Sequence, residues 1–121
     1  MYERILVVCT GNICRSPIAE FLLRDALVKA GRNPEVRSAG VGALVNHPAD
    51  AMAIEIMQER GLDLGSHKAQ QANVTLCRWA ELVLVMEAHH REELGNIDPP
   101  VRGRTFLLEH LQKFEVPAPY R

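Results

Sequence analysis

Ile5-Leu6-Val7-Val8 is apolar at every position, without the alternation of a half-exposed strand. It predicts a strand over about Arg4 to Val8 covered on both faces, as in the middle of a parallel sheet. Ile18, Phe21, Leu22 and Ala26 then recur at helical spacing, with Pro17 at the expected first helical position and Gly31 just past the end. A second strand is expected around Val36 to Ser38, ending at Gly40. The next helix is read from about Pro48 to Arg60, stopped by Gly61, with Met52, Ile56 and Met57 turned toward the core. A short turn near Thr75 to Trp79 leads to a third strand, Leu82 to Met86. A helix of about Ala88 to Leu94 and a fourth strand near Thr105 to Leu108 complete the pattern.

This alternation predicts an α/β fold: an open, parallel, four-stranded sheet in the flavodoxin-like order 2-1-3-4, flanked by helices. Ligands of such sheets bind at the carboxyl ends of the strands where the strand order reverses. The segment following the first strand lies there.

That segment reads Cys9-Thr10-Gly11-Asn12-Ile13-Cys14-Arg15-Ser16. A tight loop between strand and helix aims successive N–H groups, and the positive end of the helix dipole, at one spot. An anion is favoured there, and an ionised Cys9 beneath it is a nucleophile. Arg15 presents a planar fork able to grip two oxygens of a phosphoryl group. Thr10, Gly11, Asn12, Ile13, Cys14 and Arg15 are expected to supply the phosphate-binding backbone, and Ser16 a hydroxyl directed at the sulfur. Gly11 allows close approach, and Asn12 tolerates a left-handed conformation. The competing reading, a buried structural Cys beside an incidental Arg, does not account for the strand, loop and helix context.

Composition narrows the setting. The chain has 121 residues, 47% of them hydrophobic, and is expected to form one domain over residues 1–121. Fourteen basic against fifteen acidic residues, without blocks of like charge, argue against nucleic acid or an anionic membrane as the main partner. No long apolar run or leader pattern is visible, and three cysteines make an odd set, so a reducing cytoplasmic location is expected.

The loop and its continuation Ser16-Pro17-Ile18-Ala19-Glu20 resemble the signature of the low-molecular-weight protein tyrosine phosphatases. Further similar stretches are Ser38-Ala39-Gly40, Ser66 to Gln71, Arg78 to Glu87 and Val116 to Arg121. The bacterial branch, whose members act on tyrosine kinases controlling capsule and exopolysaccharide export, is nearest. The resemblance implies hydrolysis of protein phosphotyrosine through a phosphocysteine at Cys9, with a bacterial tyrosine kinase and inorganic phosphate among the partners, and no cofactor or metal. It also implies that Ser38 and His67 support the loop through Asn12 and Ser16. Ile13, Leu44 and Tyr120 would line the cleft for the phenyl ring.

Two departures stand out. Where the family carries the general-acid Asp, this chain has Ala118, which holds no transferable proton, so impaired turnover or a phosphotyrosine-binding trap is expected. The family also continues into a further helix, which implies an incomplete C-terminus here and an exposed sheet face open to self-association. Asp98, which also precedes a proline, Pro99, is a candidate substitute acid but is read as a surface turn residue. Cys14 is either a redox partner for Cys9 or a residue packed under the loop. Glu87 is read as a plain strand-end carboxylate rather than as a guide for Arg15. His89 and His90 point in different directions and are read as solvated surface residues rather than a metal pair. Cys77 faintly resembles a relay cysteine of arsenate reductases, but no further cysteine follows it.

Overall fold

The structure is a computed structural model and describes residues 2–108. Its elements are β1 (Arg4–Cys9), α1 (Arg15–Lys29), β2 (Glu35–Gly40), α2 (Ala51–Gln58), α3 (Val74–Trp79), β3 (Leu82–Val85), α4 (Ala88–Ile97), a 3-10 turn over Pro99–Arg104, and β4 (Thr105–Leu107). All strand pairs are parallel and the order is β2-β1-β3-β4.

The unbroken apolar run of β1 follows from its central place. Leu6 and Val8 face Leu76, Cys77, Leu94 and Val101 from α3, α4 and the 3-10 turn. Ile5 and Val7 face Ala19, Leu23 and Val36 on the other side, against α1. A third cluster, Ile18, Ala49, Ala53, Met57 and Leu64, packs α2 against the start of α1. Because β2 and β3 lie on opposite sides of β1, the loop leaving β1 opens into the crevice between the two halves of the sheet.

Several boundaries differ from the sequence expectations. The helix after the loop starts at Arg15, so Pro17 is its third residue; its missing N–H costs nothing there, since first-turn donors have no intrahelical acceptor. The helix read from Pro48 starts at Ala51, where the Asp50 side chain accepts the Met52 N–H at 3.1 Å. Its buried stripe is then Ala53 and Met57, and Met52 is 56% exposed instead of facing the core. Residues read as a turn at 75–79 belong to α3, capped by Asn73, whose Oδ1 accepts the Leu76 N–H at 2.8 Å. Asp98 is not a surface residue: it is 4% exposed at the C-terminus of α4, and Arg78 lies 3.7 Å from its carboxylate.

Gly40 ends β2 against the loop. A Cβ there would lie 2.2 Å from the Thr10 carbonyl oxygen, while its own N–H and C=O bind Gln70 and Ala72. Gly40→Ala is therefore expected to destabilise the fold by about 1–3 kcal/mol, by pushing loop and strand apart. Urea unfolding measures this directly, and an unchanged midpoint would contradict the close approach.

Candidate active site

Cys9 is the last residue of β1, and its side chain lies under the loop. The sulfur accepts the Asn12 N–H at 3.2 Å and sits 2.8 Å from Ser16 Oγ. Asn12 is fully buried and has φ of 61°, the left-handed conformation that Asn tolerates. Its amide directs the neighbouring protons. Nδ2 donates to Ser16 Oγ at 2.8 Å and to Ser38 Oγ at 3.0 Å, and Oδ1 accepts the Gln70 N–H at 2.9 Å. Ser38 in turn donates to Glu20 Oε1 at 2.6 Å. With one lone pair of Ser16 occupied by Asn12, its proton is free for the sulfur.

The loop's carbonyls are all bound from outside the cradle. Those of Cys9, Thr10, Gly11 and Ile13 accept N–H groups of Val41, Gly42, Leu44 and Asp50 at 2.8–3.1 Å, and that of Cys14 accepts Ile18 N–H at 3.2 Å. The Asn12 carbonyl meets His67 Nε2 at 2.7 Å. A trans peptide carries its C=O and N–H on opposite sides. The N–H groups of residues 10–15 thus turn to the inner face, above the Cys9 sulfur.

Arg15 opens α1 with its side chain 14% exposed, and Nη2 donates to Glu87 Oε2 at 2.6 Å. This bond holds the Glu87 carboxyl below the usual carboxylate range. Glu87 was expected to be a plain strand-end residue, yet it is the N-cap of α4 and reaches across the crevice. His90, read as a solvated residue, is fully buried. Its Nδ1 accepts the Glu87 N–H at 3.1 Å, which leaves the proton on Nε2, 3.0 Å from Thr10 Oγ1. Burial, then the charge of His89, pushes its pKa down to about 4. The signal that could have found both residues is their i, i+3 spacing, which puts them on one face of the first turn of α4.

Other candidates fall as follows. Cys14 packs against the Ile18, Ala53 and Met57 cluster, and burial, followed by the charges of Asp50 and Cys9, raises its thiol to about 11. Ile13 is half-buried, and Leu44 is exposed with its N–H tied to Gly11, so both stand at the rim of the loop. Ala118 and Tyr120 lie outside the described residues. His89, His90 and Glu93 bring potential ligand atoms within 4.8 Å of one another. Both ring nitrogens of His90 are engaged as above, leaving that cluster no free lone pair from the buried histidine. Among the described residues no helix is long and apolar enough to cross a membrane.

A cysteine sulfur beneath a ring of N–H donors, with a guanidinium at the rim, is an arrangement complementary to a tetrahedral oxyanion. The chain belongs to the low molecular weight phosphotyrosine protein phosphatase family, whose profile matches residues 4–121. It is 45% identical over 121 residues to the low molecular weight protein-tyrosine-phosphatase Etp of Escherichia coli K12, covering 99% of this chain and 79% of that protein. Among solved structures, the Erwinia amylovora tyrosine phosphatase AmsI is similar at TM-score 0.87 and 43% identity, covering 100% of this chain and 78% of that one. The tyrosine phosphatase Wzb of Escherichia coli K30, solved in complex with phosphate, is similar at TM-score 0.84 and 47% identity, covering 100% and 77%.

The buried histidine makes stability depend on pH. His90 has a native pKa of about 4 against an ordinary 6.5, so the unfolded chain binds its proton first. Its contribution is complete above about pH 6.5 and is lost as the pH falls toward 4, with a slope of at most about 1.4 kcal/mol per pH unit. His89 and Arg15 oppose the charged ring, while Glu87 and Glu93 favour it. Urea unfolding across this range is expected to show a steeper loss for the natural chain than for His90→Asn. Parallel curves would contradict the neutral, buried ring.

Proposed function

We propose that this chain hydrolyses phosphotyrosine in proteins through a phosphocysteine intermediate at Cys9. The observation that carries the proposal is the outward binding of the loop's carbonyls, which leaves the N–H groups of residues 10–15 around one sulfur, with Arg15 beside them. In the first step the sulfur attacks phosphorus, an S–P bond forms, and the P–O bond to the tyrosine ring breaks. Arg15 and the loop donors follow the charge on the equatorial oxygens. In the second step water displaces the sulfur, which Ser16 Oγ assists as leaving group, and inorganic phosphate is released. Asn12, Ser38 and His67 act by holding the loop.

The departing phenolate needs a proton. Ala118 occupies the position where the family resemblance places the general acid, so turnover should depend steeply on the leaving group. A phosphotyrosine-binding trap is the second reading, and Ala118 is what favours it. The arsenate-reductase alternative is weakened because Cys77 is fully buried in the core, its thiol pKa raised by that burial.

A bacterial tyrosine kinase of the exopolysaccharide export machinery is the partner we assign, in the reducing cytoplasm. The three cysteines are free, which is compatible with a reducing compartment. Cys14 keeps two readings: condensation with a sulfenic acid formed on Cys9 by peroxide, releasing water, or packing under the loop, and its contact with the Ile18, Ala53 and Met57 cluster supports the second.

Alkylation of Cys9 by iodoacetate at mildly acidic pH, with and without vanadate or inorganic phosphate, tests the anion site. Protection is expected, and its absence would remove the proposal. Ala118→Asp is expected to raise phenyl phosphate hydrolysis by about 10² to 10⁴, with a smaller gain for p-nitrophenyl phosphate. No gain would select the trap. Cys9→Ser should abolish turnover in either background.

A further inference from the structure

We infer that His90 is a positioning residue of the phosphate loop: it holds Thr10 while Glu87, in the same helical turn, holds Arg15, so the start of α4 fixes both ends of the loop together. The inference rests on the phosphatase reading above. The loop begins at Thr10 and ends at Arg15, and the contacts to its carbonyls come from residues 41–50 and His67, together with Ile18 of its own helix. Thr10 Oγ1 and Arg15 Nη2 are gripped from across β1, by residues 80 and 72 positions away.

The chemistry of His90 favours this role over mere packing. A position that is 0% exposed on a helix facing the sheet accepts an aliphatic side chain at no polar cost. Here it holds an imidazole whose two nitrogens do separate jobs. Nδ1 accepts the Glu87 N–H at the helix start, in the way an acidic or amide residue reaches back in a capping box. Nε2–H points 80 residues away in sequence, at the hydroxyl of Thr10. The helix cap explains the first nitrogen only. Fixing the Thr10 side chain also restrains the peptide that follows it, and the Glu87 bond restrains the direction of the Arg15 fork. Both are donors that must be in place before charge develops on the phosphoryl oxygens.

The two jobs can be separated by substitution. Asn at position 90 places an acceptor oxygen where Nδ1 stands and keeps the helix cap, but it cannot reach Thr10. Gln places a donor near Nε2 and keeps the Thr10 bond. Thr10→Val removes the acceptor from the other side without touching α4. The readout is the vanadate concentration that half-protects Cys9 from iodoacetate. About tenfold weaker protection is expected for His90→Asn and for Thr10→Val, no further loss in the double variant, and protection within about threefold of the natural chain for His90→Gln. Natural protection in Thr10→Val, or a His90→Gln variant weaker than His90→Asn, would overturn the inference and reduce His90 to a helix cap. Should His90→Asn fail to fold, Thr10→Val alone decides by the same criterion. If the natural chain itself shows no protection, the phosphatase reading falls and this inference with it.

Discussion

The outward pull on the carbonyls of residues 9–14 is the constraint on which the site depends. Nothing within the loop itself fixes the orientation of each peptide, and a carbonyl turned inward would repel an anionic guest. Here the donors come from four places: Val41, Gly42 and Leu44 after β2, Asp50 before α2, His67, and the first turn of α1. Each such bond is worth only about 0.5–1.5 kcal/mol net. Their combined effect is conformational, since planarity of each peptide converts a carbonyl held outside into an N–H held inside. Residues 41–50 are irregular in structure because they must follow the outline of the loop; a strand or helix there could not offer N–H groups in that curve.

Beneath the loop the protons run outward from Asn12 along two branches, one ending at Glu20 and the other at the Cys9 sulfur. Glu20, kept near Arg24, takes the Ser38 hydroxyl; Ser38 and Ser16 take the two hydrogens of Asn12; Ser16 is left facing the sulfur. The Gln70 N–H on Asn12 Oδ1 forbids the flipped amide, which would reverse the chain. Such a network is worth having only when fully satisfied, because each orphaned buried group costs about 1–3 kcal/mol. The polarity at Cys9 is thus set by Asn12: with its oxygen held by the Gln70 N–H it can only donate to Ser16, while Glu20 fixes Ser38 as the second acceptor of the same amide.

What the sequence made legible was local. The apolar run of β1, the loop that follows it and the alternation of elements could be read because each is written in adjacent residues, and the strand order then placed the loop at the crevice. Ser38 and His67 were reached through family resemblance and lie where hydrogen bonds to Asn12 require. Glu87 and His90 were misread because their meaning depends on Arg15 and Thr10, which come beside them only when β3 pairs with β1. Asp98 was misread for a similar reason: the 3-10 turn over Pro99–Arg104 folds back on α4 and buries it. Met52 shows the other failure, in which a helix start shifted from Pro48 to Ala51 moves the buried stripe to Ala53 and Met57.

The pairing of Arg15 with Glu87 raises a question of sign, since a carboxylate beside the guanidinium lowers the positive field that a phosphate dianion needs. Exposure decides it. Glu87 is 46% exposed and hydrated, so its repulsion on a guest is screened, whereas Arg15 is 14% exposed and faces the cradle from within the protein. A guanidinium has several donors in one plane, and Glu87 takes one Nη, leaving others for phosphoryl oxygens. The same rigid plane means that fixing one edge fixes the other. The carboxylate therefore aims the fork at little electrostatic cost, and a lysine at position 15, with its freely rotating ammonium, could not be aimed in this way.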